Sequence, residues 1–186
     1  MSDIEIFRKA IELGESERAF AFASVIRAFG STPQKAGANA IFAADGRMWG
    51  TLGGGCLEAE CRRRALESID DGVGLVFDLT LDDIKGWDDG LICGGRVRVI
   101  VDPRPNKNIA DFKQIVNAHK EGVSGALLTF VQHPTKALGE SKFYHMTELA
   151  ECVELNQLPA LEKLVEQGNS GSVSGTLDGA DVEIYV

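Results

Sequence analysis

The residues best suited to chemistry are a cysteine and the three glycines before it, Gly53-Gly54-Gly55-Cys56. Glycine tolerates positive φ and lets other atoms approach the backbone closely, and successive N–H groups in such a turn form a concave anion nest. Downstream, Leu57, Cys61, Ala65 and Ile69 recur at helical spacing. A helix starting at the cysteine aims its first N–H groups and its positive dipole end at the same spot. A thiol placed there is favoured as the thiolate, the form that attacks electrophiles and binds metals. The alternative is a small apolar residue filling the space beneath a glycine turn. On the residues alone both readings of Cys56 stay open.

Two further stretches share this character. Leu91-Ile92-Cys93-Gly94-Gly95 again sets a cysteine against glycines, just before a strand, and its Cys93 reads equally as structural or functional. Gly30 to Gly37 follows a buried strand and carries Ser31, Thr32, Pro33 and Lys35, the composition of a ligand loop or of an ordinary turn. Cys61 lies on the apolar helix stripe and Cys152 in an amphipathic stretch, so both read as core. His119, His133 and His145 are scattered without metal-ligand spacing and read as solvated. Arg62, Arg63 and Arg64 read as a solvated helix face, and the acidic run from Asp82 to Asp89 as a surface loop. No P-loop, HExxH, CxxC or GxSxG motif occurs, and the glycines from Gly50 to Gly55 do not fit the dinucleotide fingerprint.

The elements that must position these residues follow from periodicity and turn chemistry. Residues 3–13 read as a helix capped by Ser2 or Asp3. Residues 19–29 are apolar almost throughout, as a strand buried on both faces requires. Residues 38–44 and 47–52 form a hairpin about Asp45-Gly46. After the helix that follows the glycine turn come strands at 74–80 and 96–102. A second part has a helix at 109–120, a strand at 123–131, a stretch at 143–156 ambiguous between strand and helix, a helix at 159–167, a Gly/Ser-rich segment at 169–175 and a final strand at 181–186. Hairpins and crossover helices together predict an α/β or α+β fold with a mixed β-sheet and flanking helices. The 186 residues read as one domain, with a motif-bearing part at 1–106 and a second α/β part at 107–186.

Composition narrows the function classes. The net charge of -9 with no basic block argues against nucleic acid as a partner, and no apolar run is long enough to cross a bilayer. The acidic start, Met1-Ser2-Asp3-Ile4-Glu5, lacks the features of a signal peptide, so the expected location is cytoplasmic and the four cysteines are expected as reduced thiols.

Taken in order, the segments Gly30-Ser31-Thr32-Pro33 with Gly37-Ala38, Gly50-Thr51-Leu52-Gly53-Gly54-Gly55-Cys56-Leu57-Glu58-Ala59, and Leu91-Ile92-Cys93-Gly94-Gly95 leading to a Val-rich strand and Asp102-Pro103 resemble the XdhC/CoxI family. Its members are accessory factors of xanthine dehydrogenase and related molybdenum hydroxylases. The resemblance covers roughly the first hundred residues strongly. It implies a protein that binds the molybdenum cofactor (molybdopterin), helps it receive a sulfido ligand from a cysteine desulfurase, and delivers it to the apo-dehydrogenase. The implied cofactor-binding residues are Ser31, Thr32, Gly53, Gly54, Gly55, Cys56, Cys93, Gly94 and Gly95, with Cys56 as the molybdenum contact and no catalytic residue. A homo-oligomer is expected. Three features depart from the family pattern: Gln34 stands where members carry arginine, Arg98 where glutamate is common, and Val186 falls where the family's Rossmann-type domain begins. They keep two alternatives in view, an interaction module that has lost cofactor binding and a thiol redox protein pairing Cys56 with Cys93.

Overall fold

The structure, a computed structural model, describes residues 2–81, 94–152 and 158–186. Helix α1 (Asp3–Glu15) starts at Ser2, whose N–H donates to the Glu5 carboxylate at 2.7 Å, as in a capping box. Strand β1 (Phe20–Phe29) then forms the centre of a five-stranded sheet with β2 (Asn39–Ala43), β3 (Met48–Gly50), β4 (Leu75–Thr80) and β5 (Arg96–Asp102), in the order β3-β2-β1-β5-β4. Helix α2 (Gly55–Asp71) joins β3 to β4. A 3-10 turn (Pro105–Asn108) leads into α3 (Ile109–Glu121). Strands β6 (Gly125–Gln132), β7 (Ser141–His145), β8 (Ser172–Leu177) and β9 (Ala180–Tyr185) form a second sheet, ordered β7-β6-β9-β8, with α4 (Pro159–Glu166) between β7 and β8.

The α/β class holds. The sheet differs from the single mixed one expected: there are two sheets, and every strand pairing among the described residues is antiparallel. Helices α2 and α4 each connect the two edge strands of a sheet, β3 to β4 and β7 to β8, and α3 passes from the first sheet to the second, so no crossover helix here brings parallel neighbours. The segment at 169–175 is not merely Gly/Ser-rich loop: β8 begins within it at Ser172 and pairs with β9 from Ser172↔Tyr185 to Leu177↔Ala180. The ambiguous stretch becomes strand to His145, then a 3-10 turn at Leu149–Glu151. The acidic run from Asp82 to Asp89, and Cys93 with it, lies outside the described residues.

Strand alternation divides β1 between two layers. Ala21, Ala23 and Val25 pack with Val97, Val99 and Val101 of β5 and with Leu57, Cys61 and Ala65 of α2. Phe20 belongs to the core beneath α1 and α3, with Ile6, Ala10, Leu13 and Phe112. Ile26 and Ile100 meet Val131 and Tyr185 of the second sheet. Each sheet therefore has its own core, and a shared apolar contact joins them. No helix of the described residues is long and apolar enough to cross a membrane.

Candidate functional site

The glycine turn hangs between β3 and α2. Leu52, fully buried, anchors it in the core under α2. Gly53 has φ +117°, and a Cβ there would lie 2.9 Å from Cβ and Cγ of Pro33, so both conformation and space demand glycine. Gly54 (φ +82°) and Gly55 (φ +57°) also need positive φ, but a Cβ on either would meet nothing within 4 Å. The turn is thus tight on the side of the 30–37 loop and open above the helix start. Cys56, half-buried and outside any disulfide, sits on the first turn of α2 beside this opening.

The described parts of the three stretches singled out in the sequence, Gly94-Gly95 alone for the third, come together. The backbone of Gly95 packs against the Ser31 carbonyl, and a Cβ on it would reach Thr32 Cγ2 at 2.7 Å. A Cβ on Gly30 would lie 3.1 Å from the Gly94 carbonyl oxygen. Thr32 Oγ1 donates to the Gln34 carbonyl at 2.8 Å, folding the loop so that Pro33 and Gln34 face Gly53. Ser31 is exposed and Thr32 half-buried. The register explains the meeting: Phe29 at the end of β1 pairs with Arg96 at the start of β5, so the loops flanking that pair are neighbours.

The anion nest expected of this turn has an occupant within the chain. Glu58 Oε1 accepts from Thr51 Oγ1 at 2.6 Å, from the Leu52 N–H at 3.0 Å and from the Gly54 N–H at 3.0 Å. Gly53 N–H donates to Thr51 Oγ1 at 3.1 Å. Gly54, the N-cap of α2, has no side chain with which to cap, and a glutamate one turn into the helix does so instead. The sequence carried the signal: a carboxylate in the first turn of a helix that lacks a capping side chain.

Other candidates resolve differently. Cys61 is fully buried on the α2 stripe, and burial pushes its thiol up to about 12, the mark of an inert core thiol. Cys152 is buried in the second core. The three arginines are not simply a solvated face. Arg62 donates to the Gly46 carbonyl and so ties α2 to the β2–β3 hairpin. Arg64 lies 4.1 Å from the Phe77 ring centroid while bonding Glu60 at 2.6 Å. Arg63 and then Arg64 hold the Glu60 carboxyl down at about 2. Arg98 joins Arg27 on the buried Glu183 of β9, at 3.3 and 3.1 Å. His133 Nδ1 accepts from the Lys136 N–H at 3.2 Å, and the His145 ring stands edge-on to Phe143. No group of three or more metal-ligating side chains occurs among the described residues.

Residues 13–78 match the family described as the XdhC and CoxI family. The chain is also similar to a solved structure from Bacillus halodurans named as a xanthine dehydrogenase, with 27% identity and a TM-score of 0.64. That likeness covers 77% of this chain and 42% of the other, so the chain spans less than half the length of the protein it matches. No curated protein matches.

Proposed function

We propose, from the match of residues 13–78 to the XdhC and CoxI family, that the chain is an accessory factor of a xanthine dehydrogenase-type molybdenum hydroxylase, handling the enzyme's cofactor at the Cys56 turn. The observation that carries this reading is the convergence of loop 30–37, the glycine turn and Gly94-Gly95 beside a half-exposed thiol at the start of α2.

The residues fit one end of the molybdenum cofactor and not the other. A thiol on an open helix start suits a thiophilic metal. Two N–H groups that would cradle a phosphate already donate to Glu58. With Gln34 where the family carries arginine, this turn favours the metal end and leaves the phosphate to another surface. When bound, the cofactor supplies a molybdenum centre for oxo and sulfido chemistry. The chain's own part is to present Cys56 Sγ, to keep the opening over Gly54 and Gly55 clear, and to fix the rim through Pro33 and Thr32.

Metal and pterin analysis of wild type and Cys56→Ala, both purified from a cofactor-producing host, tests the proposal. Stoichiometric molybdenum and pterin in wild type, with marked loss in Cys56→Ala, is the expected result. Absence of both from wild type under saturating reconstitution refutes it. A partner hydroxylase captured equally by both proteins would favour the interaction-module reading, which the occupied nest also supports.

A further inference from the structure

On the face of β1 turned away from α2, between the two sheets, lies a cavity of about 290 Å³. It is separate from the glycine turn, since none of residues 50–58 lines it. One wall is aromatic: Phe7, Phe22 and Phe112 have ring centroids 5.2, 5.4 and 5.9 Å apart. The facing residues are polar where packing alone would favour aliphatic ones. Ser24, only 7% exposed, stands between Phe22 and Ile26 on its strand face. Burying a hydroxyl in such a layer is unfavourable unless it is hydrogen-bonded, and a leucine would fill the space instead.

The polar groups are paired in a way that leaves them ready for a second partner. Ser24 Oγ donates to Asn39 Oδ1 at 2.5 Å, so its lone pairs remain as acceptors. Ser141 Oγ donates to the Gly139 carbonyl at 3.3 Å and accepts from Thr129 Oγ1 at 2.9 Å, so both hydroxyls, like that of Ser24, keep lone pairs as acceptors. Charge selects further. The charged residues lining the cavity are Asp3 and Asp102, and no lysine, arginine or histidine lines it. Lys107 reaches Asp102 at 3.4 Å without lining the cavity. A site with this balance repels phosphates and carboxylates. Its volume lies near the lower bound of small-molecule pockets, about 300 Å³, enough for one or two fused rings.

We propose that this cavity binds a neutral heteroaromatic ring of nucleobase size that carries neither phosphate nor carboxylate. The ring stacks on the phenylalanine wall, and its N–H groups donate to the hydroxyl oxygens of Ser24, Thr129 and Ser141. This assignment goes beyond the cofactor-handling reading and stands without it, because its residues are distinct from those around Cys56.

The test is a calorimetric or NMR titration of the 186-residue chain with adenine and with hypoxanthine, and with adenosine monophosphate as the phosphorylated counterpart. Saturable binding of at least one base below about 1 mM is expected, on the scale a ten-atom ligand can reach. The monophosphate should bind at least about tenfold more weakly. Ser24→Leu, which fills the space, and Thr129→Val, which removes a hydroxyl at constant volume, should each weaken the base about tenfold. Should Ser24→Leu fail to fold, the isosteric Thr129→Val decides. No saturation by either base, equal binding of the monophosphate, or unchanged affinity in a folded Thr129→Val protein each overturns the proposal.

Discussion

Replacing Glu58 with alanine removes the shared acceptor of three hydrogen bonds in a single step. A net hydrogen bond to a charged group contributes about 1.5–3 kcal/mol, but the three here are not equivalent. Thr51 is exposed and Gly54 half-exposed, so water replaces much of what they lose. Leu52 is fully buried, and its N–H is left without the carboxylate that satisfies it. The favourable placement of a negative charge in the first turn of α2 is lost as well, worth about 0.3–1 kcal/mol. The sum is roughly 2–4 kcal/mol. In a domain of this size each kcal/mol moves Tm by about 2–4 °C, so Glu58→Ala should melt roughly 5–15 °C below wild type. Glu58→Gln keeps an acceptor oxygen but loses the charge, and should fall between the two.

A second readout separates this account from a generic loss of packing. Removing the carboxylate empties the nest, so inorganic phosphate at about 10 mM should raise the Tm of Glu58→Ala by binding the folded state while leaving wild type unmoved. Thermal melting by circular dichroism, with and without phosphate, measures both. The reasoning is refuted if Glu58→Ala melts within about 1 °C of wild type, or if phosphate stabilises both proteins equally.

Three other perturbations follow from the same structure. Burial raises the Cys61 thiol from 9.0 to about 12 and the Tyr185 hydroxyl from 10.0 to about 12, so the unfolded chain releases these protons first. Their contribution is complete below about 9 and is lost as pH rises to about 12, a decline that urea midpoints across that window should record and Cys61→Ala should reduce. Glu183→Ala strands the guanidinium groups of Arg27 and Arg98, and should cost about 2–3 kcal/mol by urea unfolding, below the 3–5 of a fully buried pair because both arginines keep some solvent. Gly53→Ala meets both a positive φ and Pro33 at 2.9 Å, and should cost about 2–3 kcal/mol while shifting NMR signals of the 30–37 loop; Gly46→Ala, with positive φ but open space, should cost only about 1.

Where local chemistry and tertiary packing agreed, the elements were legible. The apolar run at 19–29 could only be a doubly buried strand, and the stripe Leu57, Cys61, Ala65 faces the core as helical spacing requires. The hairpin about Asp45-Gly46 followed from its turn dipeptide. Strand β8 was not legible because Ser172, Ser174 and Gly175 have low strand propensity; its pairing with β9 imposes the conformation. The division into two sheets was hidden for a related reason, since strand patterns do not say which strands pair. Within the site, the meeting of Ser31-Thr32-Pro33 with Gly53 and Gly95 was legible as motifs, whereas the contacts that seat them are backbone approaches between distant segments. Glu58 is marked in the sequence only by its place in the first turn of a helix whose N-cap is a glycine, and its bonds to the Leu52 and Gly54 N–H groups depend on the turn's folded shape.

That acceptor changes what the turn can be for. A nest of N–H groups left open would bind any small anion, and phosphate is abundant wherever proteins work. With Glu58 in place the turn is rigid and electrostatically satisfied on the side of Leu52 and Gly54, while the opening above Gly54, Gly55 and Cys56 remains. The thiol is thereby the principal chemical feature the turn offers a visitor. The cavity lies across β1 from this opening: Ala21, Ala23 and Val25 face α2, and Phe22 and Ser24 face the cavity. One strand thus separates a thiol on one face from hydroxyl groups set against aromatic rings on the other. Because alternate residues of that strand serve each, a substitution such as Ser24→Leu can be made without touching the side chains that support Cys56, and the two assignments stand or fall independently.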